Sequence, residues 1–170
     1  MAKNIILITG GQRSGKSELA ERLALEASPN PIYLATAQVL DEEFRERVNI
    51  HQRRRGPQWT TIEEPAELSR HNFSGRSVLV DCVTMWATNV FFGNGEDVEK
   101  SLEILKSEFE KFTAPDGEYI FVSNEIGSGV VGADPLTRKF TDLQGWLNQF
   151  IASQADEFYL TVTGIPLKIK

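Results

Sequence analysis

Gly10-Gly11-Gln12-Arg13-Ser14-Gly15-Lys16-Ser17 brings together the residue types needed to hold a chain of phosphates. Gly10 and Gly15 let the backbone curl so that successive N–H groups point inward at an anion. A helix opening near Lys16 would add the positive end of its dipole to the same spot. Lys16 is spaced to reach β- and γ-phosphate oxygens, and the Ser17 hydroxyl to sit on a Mg²⁺ ion. A plain glycine turn before a surface helix would leave the Lys-Ser pair and its spacing unexplained. The chemistry implied is binding of a nucleoside triphosphate.

Such a loop needs a carboxylate to hold the metal through its water shell, commonly an acid ending a parallel strand. Asp81 closes the apolar run Val78-Leu79-Val80 and would emerge on the ligand side of a sheet. An exposed Asp opening a turn is the plainer alternative. Glu125 follows the apolar run Tyr119–Val122 and is a candidate base or metal-shell residue, or else an ordinary loop carboxylate. Of the two histidines, His71 sits in a polar stretch and reads as a solvated loop residue. His51 shares a helical face with Phe44 and Val48, flanked by Arg47 and by Arg53, Arg54 and Arg55. Those cations favour a neutral imidazole, which beside a triphosphate could attack phosphorus while the arginines hold its oxygens. A partly buried histidine under a solvated basic face is the other reading, and residue types alone favour it.

Stepping from strand to helix along the chain shows what must position these groups. Ile5-Ile6-Leu7-Ile8 reads as a buried parallel strand, and Leu19, Ala20, Leu23, Ala24 and Ala27 form the stripe of a helix behind the glycine loop. Further strands are expected at Ile32–Ala35, Trp59–Ile62, Ser77–Asp81, Tyr119–Ser123 and Phe158–Val162, with a tail at Ile165–Ile169. A helix from Asp41 would carry His51 and stop at Gly56-Pro57. A brief helical stretch follows Glu64-Pro65, and longer ones cover Thr84–Phe92 and Val98–Phe112. A last helix starts with Asp134 as cap and Pro135 at its first position, burying Leu136, Phe140, Leu143, Leu147 and Phe150. The alternation predicts an α/β fold: a largely parallel sheet with flanking helices, of the P-loop class.

At 170 residues the chain suits a single domain, residues 1–170, with a proper core. A net charge of −6 argues against a nucleic-acid or membrane-surface partner, and Arg53-Arg54-Arg55 more naturally holds small-ligand phosphates. Polar residues interrupt every apolar run well short of a membrane span. Cys82 is the lone cysteine, which allows no intrachain disulfide and fits a reducing cytoplasm. It reads as a small buried filler.

Taken in order, these segments resemble the bifunctional adenosylcobinamide kinase / adenosylcobinamide-phosphate guanylyltransferase family of cobalamin assembly. The likeness runs nearly end to end. It includes Ile8-Thr9-Gly10 through Ser17, Tyr33-Leu34-Ala35-Thr36-Ala37, Arg47-Val48-Asn49-Ile50-His51 and Trp59 with Thr61-Ile62-Glu63-Glu64-Pro65. It continues through Asp81-Cys82-Val83-Thr84, Asn124-Glu125-Ile126-Gly127-Ser128-Gly129-Val130-Val131, Gly145–Gln149 and Gly164-Ile165-Pro166-Leu167-Lys168. The glycine loop is common to many enzymes. The Asn-Glu-Ile-Gly loop and the His51 block in this order are far more specific.

The resemblance implies a RecA-like P-loop fold, a homotrimer, and Mg²⁺ with GTP and ATP as nucleotides. It implies a kinase step that moves a γ-phosphoryl group to adenosylcobinamide. It also implies a second step in which His51 takes GMP from GTP and passes it to adenosylcobinamide phosphate, giving adenosylcobinamide-GDP. Lys16 and Glu125 join His51 as catalytic residues on this reading, and Ser17 and Asp81 hold the metal. Nucleotide contacts extend from Gly10–Ser17 to Ala35, Thr36, Ala37, Gln52, Arg53, Arg54, Arg55, Glu63 and Thr84. A P-loop small-molecule kinase with a structural His51 and no covalent nucleotide is the alternative. A GTP switch module is a third reading, and it lacks an Asn-Lys-x-Asp guanine motif.

Overall fold

Apolar runs without alternation bury both faces of a strand, and three of them form the centre of the sheet. In β1 (Asn4–Gly10), β4 (Ser77–Asp81) and β5 (Glu118–Asn124), residues Leu7, Ile8, Val78, Val80, Ile120 and Phe121 have no exposed surface. The structure, a computed structural model, describes residues 1–38 and 55–170. Among these, β2 (Ile32–Ala35), β3 (Thr60–Glu63), β6 (Glu157–Val162) and β7 (Ile165–Lys168) complete one sheet. The order is β3-β2-β4-β5-β1-β6-β7, parallel throughout except for the antiparallel β6–β7 hairpin. The mostly parallel P-loop sheet expected from the alternating pattern is the one observed.

Described helices flank both faces. On one side α1 (Lys16–Ala27) packs Leu19, Ala20 and Ala24 against Ile6, Ile8 and Leu79. On the other lie α2 (Val83–Gly93), α3 (Val98–Phe112) and α4 (Pro135–Gln154). They cover the other sheet face with Trp86, Phe91, Leu105, Phe109, Leu147 and Ile151. Side chains start two of these helices. Asp97 accepts from the Lys100 N–H at 2.9 Å, and Asp134 from the Thr137 N–H at 2.8 Å with Pro135 in the first turn. The expected helix spanning His51 lies outside the described residues.

Some local expectations shift. The buried stripe of α4 is Leu143, Gln144, Leu147 and Ile151, while Leu136 is exposed and Phe140 and Phe150 only partly covered. A polar residue enters this stripe because Gln144 Nε2 donates to Ser123 Oγ at 2.8 Å and to Asn148 Oδ1 at 3.1 Å. Ser123 Oγ in turn donates to Asn148 Oδ1 at 2.6 Å. An apolarity count cannot anticipate a buried amide that finds partners on a strand end. The stretch after Glu64-Pro65 is only a three-residue 3₁₀ turn, Leu68–Arg70.

His71 also departs from the solvated loop residue expected. Its ring stacks on Phe73, with centroids 5.7 Å apart, and Nε2 lies 3.4 Å from the buried Glu64 carboxylate. Glu64 accepts the Glu67 and Ala66 N–H groups at 3.0 and 3.2 Å. Burial pushes this carboxyl up, but those N–H groups and Arg70 outweigh it and hold the group below its ordinary 4.5. A depressed carboxyl contributes stability above its ordinary value and loses it as pH falls through the folded value. Glu64→Gln is therefore expected to lower Tm at neutral pH, with the gap to wild type narrowing as pH falls below 4.5. Thermal melts across that range check this, and a constant gap would refute it.

Candidate functional site

Parallel strands deliver their C-terminal ends to one edge of a sheet, where α/β proteins bind ligands. The register shows who meets there. Gly10 is level with Asn124 on one side and Thr161 on the other, and Asp81 with Val122 and Ala35, which in turn faces Glu63. Residues from sequence positions 10 to 161 thus share one edge.

The phosphate loop follows β1 and ends at α1, with Gly15 as the N-cap at φ 93°, a conformation that suits glycine. A β-carbon at Gly15 would also lie 3.1 Å from the Gly164 Cα, so the loop passes close to the β6–β7 turn. Gly10 is likewise confined, since a side chain there would run into the Thr161 and Ser14 hydroxyls. Ser14 is buried, and its Oγ shares a 2.7 Å hydrogen bond with Thr161 Oγ1. Thr161 Oγ1 also donates to the Thr9 carbonyl at 3.1 Å, and the Gly164 N–H donates to the Ser14 carbonyl at 2.9 Å. The last hairpin therefore clamps the loop, a role no local motif announces.

Lys16 is 8% exposed, and its Nζ donates to the Gly11 carbonyl at 2.5 Å. Burial lowers its pKa from the ordinary 10.5, opposed by the charges of Asp81 and Glu18. An arriving phosphate chain would restore favourable company for the ammonium. Asp81, at the end of β4, accepts from Tyr33 Oη at 2.6 Å. Burial, then the Asp81 charge, push the Tyr33 phenol far up, so it stays a donor. The Arg55 guanidinium lies on the Tyr33 ring, 3.3 Å from its centroid. Arg55, Tyr33 and Asp81 form one chain of contacts, and the Asp81 charge at its end acts on Lys16 of the phosphate loop. Tyr33 was legible only as a strand residue, although a phenol inside a parallel strand asks for a polar partner.

A Mg²⁺ ion at such a loop needs few protein oxygens, because phosphates and waters supply the rest. The Ser17 hydroxyl engages no hydrogen bond among the described residues, and Asp81 has one carboxylate oxygen uncommitted there. This donor pair fits that ion, and the described residues hold no cluster of three or more His, Cys, Asp or Glu that would suit a different one.

The remaining described candidates fall on the same edge with differing tasks. Thr36 is buried, and its hydroxyl donates to the Cys82 carbonyl at 2.7 Å and accepts from the Cys82 N–H at 2.8 Å. Asn89 holds this turn by donating to the Thr36 and Pro65 carbonyls at 2.8 and 2.9 Å. Thr36 thus fixes the backbone beside Asp81, and Ala35 and Ala37 are partly exposed on either side of it. Thr36→Val would strand two backbone groups and is expected to cost about 2 kcal/mol, a loss of several degrees in Tm. An unchanged melt would show that the pair of bonds is dispensable. Glu63 is exposed at the end of β3. Thr84 Oγ1 accepts the Asn124 N–H at 3.2 Å and its Nδ2 at 3.0 Å, tying α2 to the end of β5. Glu125 is exposed, its carboxylate accepting the Gly127 N–H at 2.9 Å while its own N–H donates to the Gly10 carbonyl at 3.0 Å. Burial lifts the Cys82 thiol to about 12, which leaves it neutral and no nucleophile. His51, Gln52, Arg53 and Arg54 lie outside the described residues.

Strand, glycine loop and helix, with an acid two strands away at the same edge, define a P-loop nucleotide-binding α/β protein. Solved structures agree on the fold. A prototypical ATPase from the type III secretion system of pathogenic bacteria superposes over 94% of this chain with a TM-score of 0.55 and 19% identity. The chain spans about half, 51%, of that ATPase. The flagellar accessory protein FlaH from Methanocaldococcus jannaschii covers 99% of this chain and 79% of its own, with a TM-score of 0.54 and 16% identity.

Sequence comparison narrows the class. Residues 6–169 match the family model for cobinamide kinase / cobinamide phosphate guanyltransferase. The bifunctional adenosylcobalamin biosynthesis protein CobP of Pseudomonas aeruginosa is 42% identical over 169 residues, 96% of each chain. The bifunctional adenosylcobalamin biosynthesis protein CobU of Escherichia coli is 35% identical over 181 residues, 98% of this chain and 99% of its own. The chain belongs to the cobinamide kinase / cobinamide phosphate guanyltransferase family, a family of enzymes.

Proposed function

We propose that this protein, as a single domain over residues 1–170, serves both reactions named for its family from one phosphate cradle. In the first, Lys16 and the loop N–H groups hold the β- and γ-phosphates of ATP or GTP. An alcohol oxygen of adenosylcobinamide attacks the γ-phosphorus, the bond to the β-phosphate oxygen breaks, and the alcohol proton passes to a base for which Glu125 is the candidate. In the second, a neutral His51 nitrogen attacks the α-phosphorus of GTP and pyrophosphate leaves. A phosphate oxygen of adenosylcobinamide phosphate then displaces the histidine, giving adenosylcobinamide-GDP. Gln52, Arg53, Arg54 and Arg55 are assigned to the phosphates, and Ala35, Thr36, Ala37, Glu63 and Thr84 to the nucleotide. Mg²⁺, held by Ser17 and Asp81, supplies charge neutralisation on the phosphates. A homotrimer in the cytoplasm completes the reading. Among the described residues no helix is long and apolar enough to cross a membrane.

The observation that carries this is the meeting of Lys16, Ser17 and Asp81 at one sheet edge in a chain matching its relatives end to end. Incubation with Mg²⁺ and α-phosphate-labelled GTP, without corrinoid, is expected to label the protein in an acid-labile, alkali-stable bond. Folded protein that binds GTP and takes no label would leave a P-loop kinase acting only at the γ-phosphorus.

A further inference from the structure

Strand order divides the surroundings of the phosphate loop into two sides. From β1, the strands β5, β4, β2 and β3 run one way, and β6 and β7 the other. Every described residue assigned as a nucleotide contact beyond the loop lies on the first side. Ala35, ending β2, stands three strands from Gly10, about 14 Å at ordinary strand spacing. Yet a cavity of about 1110 Å³ opens on the second side. It starts at Lys16 and Ser17 and extends past Arg13 and Arg22 to Thr163 and Pro166 of the hairpin. That is far more room than a phosphate chain needs and is ample for a nucleoside, since small-ligand sites run to roughly 300–1,000 Å³.

We infer that this cavity is a second nucleoside seat, used by the triphosphate that donates its γ-phosphoryl group; the inference rests on the two-reaction reading above. The register gives it a wall. Thr161, whose hydroxyl points at Ser14, pairs with Pro166, so the proline ring lies on the same face of the hairpin. A purine can rest on that ring and on the Arg13 and Arg22 guanidinium planes, and the Thr163 hydroxyl is available to its polar edge. The clamp between Gly164 and Ser14 holds wall and cradle in fixed relation.

Two seats on opposite sides explain how one cradle can serve two ends of a triphosphate. With the base in the hairpin seat, the chain enters from β6 and its γ-phosphate points towards β5 and Asp81. With the base on the β2–β3 side, the chain enters in the opposite sense and its α-phosphate lies on the Arg55 side. Because both orientations use Lys16 and Ser17, only one can be occupied at a time.

Photolabelling of the full-length protein with 8-azido-ATP and Mg²⁺, followed by peptide mapping, tests this directly. Label is expected within residues 161–167 or at Arg13 or Arg22, and excess GTP should suppress it. Pro166→Glu, which places a bulky anion in the seat, is expected to reduce labelling by about tenfold. Arg22→Glu, on an exposed face of α1, is expected to act in the same direction and serves if the hairpin variant fails to fold. Label confined to residues 35–38, 60–64 or 84 would overturn the inference, as would no label at all or undiminished labelling in both variants. Failure to form guanylylated protein in the same preparation would count against the two-reaction reading and would leave the map of the label standing.

Discussion

His51→Ala is expected to abolish formation of the protein–GMP adduct while leaving much of the phosphorylation of adenosylcobinamide in place. Neither the other histidine nor the cysteine is placed to stand in for the proposed nucleophile. The Cys82 thiol is held neutral, and His71 is engaged with Glu64 and Phe73. Loss of a covalent nucleophile costs about 10⁴-fold or more in the step it performs. On the proposed reading the γ-phosphoryl step depends instead on Lys16, Ser17 and Asp81, which this substitution leaves unchanged in the sequence. Labelled GTP followed on a gel reads the first activity, and a coupled ADP assay with corrinoid reads the second. An equal fall in both, in a variant whose melt matches wild type, would remove His51 from the role of a dedicated nucleophile.

Lys16→Ala, by contrast, should depress both activities together. Its ammonium is the cation rising from the floor of the loop, and in the absence of ligand it leans on the Gly11 carbonyl. Removing one such preorganised charge lowers kcat by about 10²–10³-fold in each reaction. The burial that lowers its pKa adds a signature. Phosphates favour the charged form, so nucleotide binding at alkaline pH takes up protons in wild type and takes up fewer in the variant. Calorimetry in two buffers of different ionisation enthalpy measures that difference. Normal rates in both reactions would mean that the loop does not hold the reacting triphosphate.

The strands around these residues were legible because burial on both faces leaves no room for polar residues. Ile5–Ile8, Val78–Val80 and Tyr119–Val122 are such runs, and each became a central strand. Caps were legible for a local reason too, since Asp134-Pro135 satisfies the first helical N–H groups from within one turn. The face of α4 was not, because Gln144 is buried by partners that only the end of β5 provides. His71 departs from expectation for the same reason, as its partners Glu64 and Phe73 come from the folded turn around it.

Sequence alone determined the phosphate loop, the acid at the end of its strand and the alternating α/β plan, because each depends on residues adjacent in the chain. Tertiary structure decided the rest. Strand order brought Asp81 to the edge occupied by Lys16, and it placed Thr161 and Gly164, some 150 positions away, against Ser14. The packing of β2 under Arg55 turned Tyr33 from a core residue into the group that orients Asp81. Hydrogen bonds between strands and turns distant in sequence leave no periodic trace in composition, so the cavity beside the β6–β7 hairpin became visible only once the sheet was assembled.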